Sequence, residues 1–210
     1  TCALPILLHW FCQNADLSNH PKFSPIPVGL DYHTLSSIKE KHKWGEKRSP
    51  VEQESLLIKL AEQAPPTEER IAKIYATFHF YMTGRYGYDR VDALANIQNE
   101  AVFYERSQME RQVTWAAQAQ YAFVASPLSN GLDAHRTWEA LVLGCIPVIK
   151  KSPIAPLLEN LPALIVDDWH EVTQKRLDDY LNYYRLNKHM FEFDQLTLKY
   201  WVDRFRAFQK

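Results

Sequence analysis

The sequence has little cysteine and little glycine, and each shortage excludes a class of protein. Its 210 residues include three cysteines, an odd set without a C-x-x-C pair, so neither a disulfide framework nor a thiolate zinc site is supported. Its six glycines give neither a G-x-G-x-x-G nor a G-x-x-x-x-G-K-S/T pattern. The usual fingerprints of dinucleotide-binding and P-loop proteins are therefore absent.

Long apolar runs and an excess of one charge are also missing. The densest apolar stretch, residues 4–11, is interrupted by Pro5 and His9 and falls far short of the ~18 residues that a membrane-spanning helix needs. Lys and Arg number 24 and Asp and Glu number 25, which leaves no overall field to attract nucleic acid or anionic membrane. We therefore expect no membrane segment and no nucleic-acid partner, and any basic site must be local.

What the chain does contain is the composition of a folded protein. Hydrophobic residues make up 46% of it and charged residues 23%, which is typical of a packed globule and not of a disordered or fibrous chain. The sequence starts at Thr1 without an initiator methionine. From this start we expect that the chain was processed or cut from a longer parent.

Short apolar segments alternate with segments of helical pattern over most of the chain. Residues 49–52 form a capping box with Pro50 at the first helical position, which predicts the start of a helix. Segments such as YAFVA (121–125) are nearly uniformly apolar, as in strands covered on both faces. The pattern predicts an α/β fold with a Rossmann-like parallel sheet and helices on both faces. The expected strands are 71–80, 101–105, 121–127, 145–150 and 163–169. The expected helices are 50–63, 89–96, 109–120, 134–143 and 171–184, and Gly144 is expected to end the helix 134–143.

The other segments flank this unit. Residues 1–33 combine an apolar run, interpreted as a strand, with a proline-rich stretch, and we interpret them as the remnant of an N-terminal domain and an interdomain connector. Residues 34–48 are charge-dense and are predicted to be a linker, and residues 49–190 form the Rossmann-like domain. Residues 191–210 are predicted to be a C-terminal docking helix. Its apolar stripe consists of Leu198, Trp201, Phe205 and Phe208.

The loop after strand 121–127 is the strongest candidate site, since ligands of open α/β sheets bind beyond the carboxyl ends of the strands. The start of the next helix supplies free N–H donors, and Arg136 adds a guanidinium in its first turn. Glu139 lies on the same helical face, where a carboxylate can accept hydrogen bonds from ribose hydroxyls. We therefore expect a nucleoside diphosphate to be bound by Asn130, Gly131, Asp133, His135, Arg136 and Glu139.

Ordinary structural roles compete with this interpretation. Arg136 and Glu139 can pair on a solvated helix face, where an ion pair contributes little stability. Asn130 and Gly131 can form a turn, and Asp133 can cap the helix, which is the commonest role of an aspartate at such a position. The sequence leaves these alternatives open.

A second loop with basic side chains, residues 82–90, follows strand 71–80. Arg85 and Arg90 stand there beside flexible glycines, and they either reach the same phosphates or belong to a solvated loop with an Arg–Asp pair. Cys145 opens a strand, a position typical of inert packing, so its use as a nucleophile is the weaker alternative. No H-E-x-x-H, D-x-D or other metal-ligand spacing occurs, and no metal site is predicted.

Residues 121–149, YAFVASPLSNGLDAHRTWEALVLGCIPVI, resemble the donor-binding core of exostosin-like glycosyltransferases. In that family a strand ending in Ser-Pro leads through a glycine-containing loop to an Arg-x-x-Glu-Ala-Leu helix and then to Gly-Cys-Ile-Pro-Val. Weaker similarity extends from WFCQN and IPVGLDYHT through IYATFHFYMTGRYGYDR to LIVDDW. The resemblance implies a GT-B fold of two Rossmann-like domains, with Arg136 facing the diphosphate and Glu139 the ribose.

The resemblance further implies the donor-binding part of a glycosyltransferase, which moves a sugar from a nucleoside-diphosphate sugar to a glycan or other hydroxyl acceptor without a metal or further cofactor. A non-catalytic half-domain that binds a nucleotide, a glycan or a partner chain is the alternative, and a cysteine hydrolase is a third. Because the chain is too short for two complete domains, we expect nucleotide binding without efficient transfer, and self-association through the face of the missing domain. Should the chain transfer sugar alone, His9, Asp31 and His33 are the first candidates for the base. Both a cytoplasmic and a Golgi-lumenal parent fit the sequence.

Overall fold

The computed structural model describes residues 7–16, 20–39 and 42–208, and two parallel sheets lie within these ranges. The small sheet pairs β1 (Trp10–Cys12) with β2 (Phe23–Pro25). The large sheet consists of β3 (Ile71–Ala76), β4 (Val102–Tyr104), β5 (Tyr121–Ala125), β6 (Ile146–Lys150) and β7 (Leu164–Val166). The start of the strand predicted in the N-terminal apolar run, residues 4–6, lies outside the described residues.

Helices precede, follow and connect these strands. In the described ranges they are α1 (His33–Ser37), α2 (Pro50–Gln63), α3 (Gly87–Asn96), α4 (Arg111–Gln118), α5 (His135–Val142), α6 (Gln174–Asn187) and α7 (Leu198–Ala207). Single 3₁₀ turns, including Ala155–Leu158 and Trp169–Glu171, complete the connections. Of the helices in the described part of the chain, none combines the length and the apolar character that crossing a membrane requires.

Local chemistry sets the ends of several helices. At the start of α2, the Ser49 hydroxyl accepts a hydrogen bond from the Glu52 backbone N–H at 3.3 Å, and the Glu52 carboxylate accepts one from the Ser49 N–H at 2.7 Å. At the end of α5, Gly144 has a φ of +74°, which a residue with a Cβ adopts only with strain. The capping box and the glycine stop predicted from the sequence are both confirmed.

The order of the large sheet is β4-β3-β5-β6-β7, and every neighbouring pair is parallel. The chain runs from β3 outward to β4 and then returns to β5 on the other side of β3. The direction of the sheet therefore reverses between β3 and β5, and such a reversal opens a crevice at the carboxyl ends of the strands. The prediction of an α/β fold with a parallel sheet is confirmed.

Helices cover both faces of this sheet. On one face, α3 and α6 pack in a hydrophobic cluster that includes Leu177 of α6 and Phe123 of β5. On the other face, α2, α4 and α5 pack in a second cluster that includes Trp115 of α4 and Val124 of β5. Phe123 and Val124 are adjacent residues, and successive side chains of a strand point to opposite faces of the sheet. One strand thus contributes to the hydrophobic clusters on both faces.

The small sheet packs against α7 through aromatic rings. The ring centres of Phe11 and Phe205 lie 4.6 Å apart, and His9 stacks on Phe208 at 3.9 Å. Part of the apolar stripe predicted for the C-terminal helix thus covers part of the N-terminal strand. Trp10 remains 52% exposed, so the cover is incomplete.

Candidate functional site

A pocket of about 450 Å³ lies at the carboxyl ends of β3, β4 and β5, beside the reversal of strand order. Its wall includes residues 77–80 after β3, residues 105–109 after β4 and the first turns of α5. α4 contributes a further side, and Asp31 and Trp44 line the pocket from the N-terminal part of the chain. The volume is in the range of small-molecule binding sites.

Arg136 gives this pocket a buried positive group. Its Nη1 atom is buried and has no hydrogen-bond partner among the described residues, and its Cζ lies 5.8 Å from the ring centre of Phe78. Burial and the nearby charge of Arg90 lower the pKa of Arg136 to about 10, against the opposing charge of Glu139. The guanidinium therefore stays charged at neutral pH. The residue as a whole is half-buried, and a buried N–H donor without a partner is costly, so an anion in the pocket would offset that cost.

Two further buried N–H donors in the pocket wall also lack partners within the described ranges. They are Trp115 Nε1 and Gln118 Nε2, both on α4. With Arg136 Nη1 they form a set in which every unpartnered atom is a donor. A ligand with several acceptor oxygens, such as a phosphate or a carbonyl-bearing base, can satisfy such a set once the side chains rotate to expose these buried atoms.

The charge of the pocket differs from that of the whole chain, whose formal net charge is -1. Five cationic side chains line the pocket, against three carboxylates. The cations are Lys43, Arg90, Arg106, Arg111 and Arg136, and the carboxylates are Asp31, Glu105 and Glu139. Because the chain as a whole carries almost no net charge, binding an anion would depend on a local basic site, and this pocket is one.

Glu139 lies one turn further along α5 and lines the same pocket. Its charge raises the pKa of Arg136, but among the described residues the two side chains form no ion pair within 4.0 Å. The alternative of a surface ion pair is therefore not what the structure shows. The carboxylate accepts no hydrogen bond from the residues that the structure describes, which leaves it available to hydroxyl groups of a ligand.

Arg90 lines the pocket as well, yet its hydrogen bonds go to the protein. It is 2% exposed, and it donates to the carbonyl oxygens of Leu128 at 2.9 Å and His79 at 3.1 Å and to the Ser129 hydroxyl at 3.0 Å. Its fork thus joins the segments that follow β3 and β5. Its neighbour Asp89 is fully buried and accepts a hydrogen bond from the Leu128 backbone N–H at 2.8 Å.

Asp133 connects the loop before α5 to the N-terminal segment. The residue is 4% exposed, and its carboxylate accepts hydrogen bonds from the backbone N–H groups of Val28 at 2.7 Å and Ala134 at 2.8 Å and from Trp138 Nε1 at 2.9 Å. Burial raises the pKa of Asp133 although these hydrogen bonds oppose the rise. Its partners lie in the protein, and it does not line the pocket.

Gly131 also lies against the N-terminal segment of the chain, through the side chain of Asn14. A Cβ at this position would lie 2.3 Å from Oδ1 of Asn14, and that oxygen accepts a hydrogen bond from the Asp133 backbone N–H at 2.8 Å. Asn130 lies close to the second loop, since its Oδ1 would be 3.0 Å from a Cβ added at Gly84. Like Asp133, Asn130 and Gly131 are outside the pocket wall.

Two other candidates from the sequence have surroundings that favour ordinary roles. Arg85 is exposed, lies outside the pocket wall and places its Cζ 5.2 Å from the ring centre of Tyr86. Cys145 is 1% exposed, and burial raises the pKa of its thiol to about 12 in spite of Arg70, whose Nη1 lies 3.3 Å away. A thiol in this state is protonated at neutral pH, which weighs against a nucleophile.

Several residues of the pocket were not predicted from the sequence. Arg111 of α4 places its Nη2 2.6 Å from Oδ2 of Asp31, and its Cζ lies 5.1 Å and 5.6 Å from the ring centres of Trp44 and Trp115. Trp44 belongs to residues 34–48, which were predicted to be a linker, and here it lines the pocket. No local pattern distinguishes these side chains, because their partners are distant in sequence.

The side chain of His135, on α5, also contacts the N-terminal part of the chain, at Gly29. Its Nδ1 lies 2.7 Å from the carbonyl oxygen of Gly29, and one potential ligand atom each of Asp31, His33 and His135 lie within 4.8 Å of one another. The sequence predicted no metal site, and it gives no spacing signal for this group because α5 is distant in sequence from Asp31 and His33.

Compared with models of known protein families and with curated proteins, the chain gives no match. The similarity to exostosin-like glycosyltransferases therefore stays a prediction that rests on the residues quoted for it. Of the candidates from residues 121–149, His135, Arg136 and Glu139 line the pocket.

Proposed function

We propose that this chain is the donor-binding part of a glycosyltransferase, and that its pocket binds the nucleoside diphosphate of a sugar donor. The observation that carries the proposal is the set of unpartnered N–H donors in the wall, formed by Arg136, Trp115 and Gln118. A diphosphate supplies both the negative charge and the acceptor oxygens that this set lacks. The resemblance of residues 121–149 to exostosin-like enzymes supports the same ligand.

The arrangement along α5 suggests how the two parts of the nucleotide lie. Arg136 is the buried charge at the start of the helix and would contact the diphosphate, assisted by the N-terminal end of the helix dipole. Glu139 stands one turn away with an available carboxylate and would accept hydrogen bonds from the ribose hydroxyls. One helix would thus recognise both groups.

In the proposed reaction an acceptor hydroxyl attacks the anomeric carbon of the donor sugar. A new C–O bond forms to the acceptor as the bond to the diphosphate breaks, the hydroxyl proton passes to a base, and negative charge grows on the leaving diphosphate. Arg136 and the other cations of the pocket would stabilise that charge in place, so this proposal requires no metal for the departing group. We further propose that the chain is the C-terminal domain of a GT-B enzyme, and its Rossmann-like parallel sheet supports this proposal.

Calorimetric titration with UDP and with GDP tests the proposed site. We expect one of these nucleotides to bind the wild-type chain and Arg136→Ala to weaken that binding by ~1.5–3 kcal/mol, or roughly 10- to 150-fold, because a charge-assisted hydrogen bond is lost. Arg85→Ala is the matched control, since it removes an exposed arginine outside the pocket, and EDTA should leave the affinity unchanged. Equal affinity of the wild type and Arg136→Ala, or no binding of either nucleotide, would contradict the proposal.

A transfer assay separates an enzyme from a non-catalytic nucleotide-binding unit. The chain is incubated with UDP- and GDP-sugars and a panel of sugar acceptors, and product and donor hydrolysis are both measured. Transfer that disappears in Arg136→Ala and persists in Arg85→Ala supports the glycosyltransferase. Nucleotide binding with neither transfer nor hydrolysis, in this chain and in any longer parent, favours the non-catalytic alternative.

A further inference from the structure

Asp31, His33 and His135 form a cluster that the proposed function does not use. One potential metal-ligand atom of each residue lies within 4.8 Å of those of the other two. In the described part of the chain, this is the only group of three or more His, Cys, Asp or Glu side chains with such geometry. Asp31 and His135 line the pocket, so the cluster lies at its wall.

Both imidazoles are oriented through their Nδ1 atoms. His135 Nδ1 lies 2.7 Å from the Gly29 carbonyl oxygen, which can only accept, so the proton resides on Nδ1 and Nε2 keeps its lone pair. His33 Nδ1 lies 2.9 Å from Oδ1 of Asp31, and an ion bound to both atoms would replace this contact. An Nδ1–H bond to a carbonyl or a carboxylate is the arrangement that commonly orients a histidine toward a metal ion.

Asp31 is fixed where a third ligand would stand. Its side chain is 8% exposed, its Oδ1 accepts a hydrogen bond from the Thr34 backbone N–H at 3.1 Å, and its Oδ2 pairs with Arg111 at 2.6 Å. Oδ1 therefore faces His33, whose side chain is 76% exposed and has room to move. The Arg111 charge partly neutralises the carboxylate, so the cluster should bind a metal ion less tightly than a closed structural site.

We propose that Asp31, His33 and His135 bind one divalent transition-metal ion of the zinc type. Two imidazole nitrogens with one carboxylate oxygen suit Zn²⁺, Co²⁺ or Ni²⁺, whereas Mg²⁺ and Ca²⁺ prefer oxygen ligands throughout. Three protein ligands would leave a position on the ion open toward the pocket. The site is separate from the Arg136 group and does not rest on the proposed function.

The chain offers a matched comparison for this site. His170 Nδ1 lies 2.6 Å from Oδ1 of Asp168, and both side chains are exposed, so this pair reproduces the His33–Asp31 contact. It has no third ligand in the described ranges, since it belongs to no cluster of three. His170→Ala therefore controls for zinc bound by an exposed His–Asp pair.

The test uses the untagged chain after removal of metal with EDTA and dialysis. Zn²⁺ binding is measured by calorimetry, and Co²⁺ serves as an absorption probe of the ligand geometry. We expect one Zn²⁺ per chain, binding at least about tenfold weaker in His33→Ala and in His135→Ala, unchanged binding in His170→Ala, and no competition by Mg²⁺. Thermal unfolding checks each variant, and His33→Gln, at an exposed position, decides the result if His135→Ala fails to fold.

Two results would overturn the proposal. One is a wild-type chain that binds no Zn²⁺, and the other is equal affinity in the wild type, His33→Ala and His170→Ala. UDP titrations of the same proteins keep this question separate from the proposed function. Loss of zinc binding with intact UDP binding rejects only the metal site, and zinc binding without nucleotide binding rejects only the nucleotide pocket.

Discussion

Two arginines that line the pocket, one on α3 and one on α5, use the same functional group in opposite ways. Arg90 of α3 donates three hydrogen bonds to the protein, whereas Arg136 of α5 leaves a buried Nη1 without a partner among the described residues. The first guanidinium therefore holds the loops together, and the second is available to a ligand. The comparison shows that hydrogen bonds, more than residue type or loop position, separate a structural arginine from a binding arginine.

Asp133 and Glu139 repeat this contrast for carboxylates. The Asp133 carboxylate accepts hydrogen bonds from two backbone N–H groups and an indole. The Glu139 carboxylate, six residues later in the sequence, accepts none from the described residues. A carboxylate satisfied by the protein stabilises the fold, whereas a half-exposed one without protein partners is available to water or to a ligand. The following changes break or sharpen this distinction.

The largest effect is expected at Arg90. Arg90→Met removes three hydrogen bonds of about 1 kcal/mol each from a side chain that is itself buried, so we expect the free energy of unfolding to fall by roughly 3 kcal/mol. Urea unfolding measures the change. Arg106→Met, at an exposed arginine of the same pocket, is the control. A loss no greater than that of the control would show that Arg90 is not structural.

Asp133→Asn should destabilise the chain by about 2 kcal/mol. The substitution replaces an acceptor oxygen by an NH₂ group that meets the N–H donors of Val28, Ala134 and Trp138, so at least one buried donor loses its partner. The same urea experiment applies. Asp167→Asn serves as control because Asp167 is exposed and pairs with Lys151 at 3.6 Å; equal stability of the two variants would contradict the role assigned to Asp133.

A smaller change of opposite sign is expected at Arg136. Arg136→Met removes a buried unpartnered N–H and leaves an apolar side chain beside the Phe78 ring. Because the lost cation–π contact offsets part of this gain, the free energy of unfolding should rise by up to about 1 kcal/mol. Thermal unfolding with and without UDP completes the measurement, because the wild type should gain stability from UDP and the variant much less. A clear loss of stability in Arg136→Met that is absent from Arg85→Met would show that Arg136, like Arg90, stabilises the fold.

The smallest effect concerns the imidazole of His79 in the pocket wall. Burial, followed by the charges of Lys43, Arg90 and Arg136, lowers the pKa of His79 from its usual 6.5. A depressed histidine pKa contributes stability that is present above pH 6.5 and is lost as the pH falls through the lowered value. Arg136→Met should raise this pKa toward 6.5, and an NMR titration measures it. An unchanged pKa of His79 in Arg136→Met, or an equal shift in Arg85→Met, would show that the charge of Arg136 does not lower this pKa.

The fold could be predicted in large part because its signals are local. The capping box at Ser49 and Glu52, the apolar strand 121–125 and the stop at Gly144 each depend on neighbours in sequence. The pocket was predicted in part. Arg136 and Glu139 were predicted from their position after a buried strand, from their spacing on one helical face and from the resemblance of residues 121–149.

The remaining features of the site depend on partners far away in sequence. Arg111 meets Asp31 across 80 positions, and Arg90 meets Ser129 across 39. No periodicity or motif encodes such pairs, so the sequence could not tell that Arg90 is satisfied, that α4 supplies donors to the pocket, or that the residues predicted as a linker carry a pocket tryptophan.

The contact between the N-terminal segment and the loop before α5 has a consequence for the order of folding. Val28 reaches the Asp133 carboxylate across 105 residues, and Asn14 reaches the Asp133 backbone across 119. Contacts of such sequence separation close large loops and carry a high entropic cost, so they form after the sheet and its local crossovers. During synthesis the segment of Asn14 and Val28 therefore waits for the loop around Asp133, which follows it in the chain, and the contacts between the two are among the last to form.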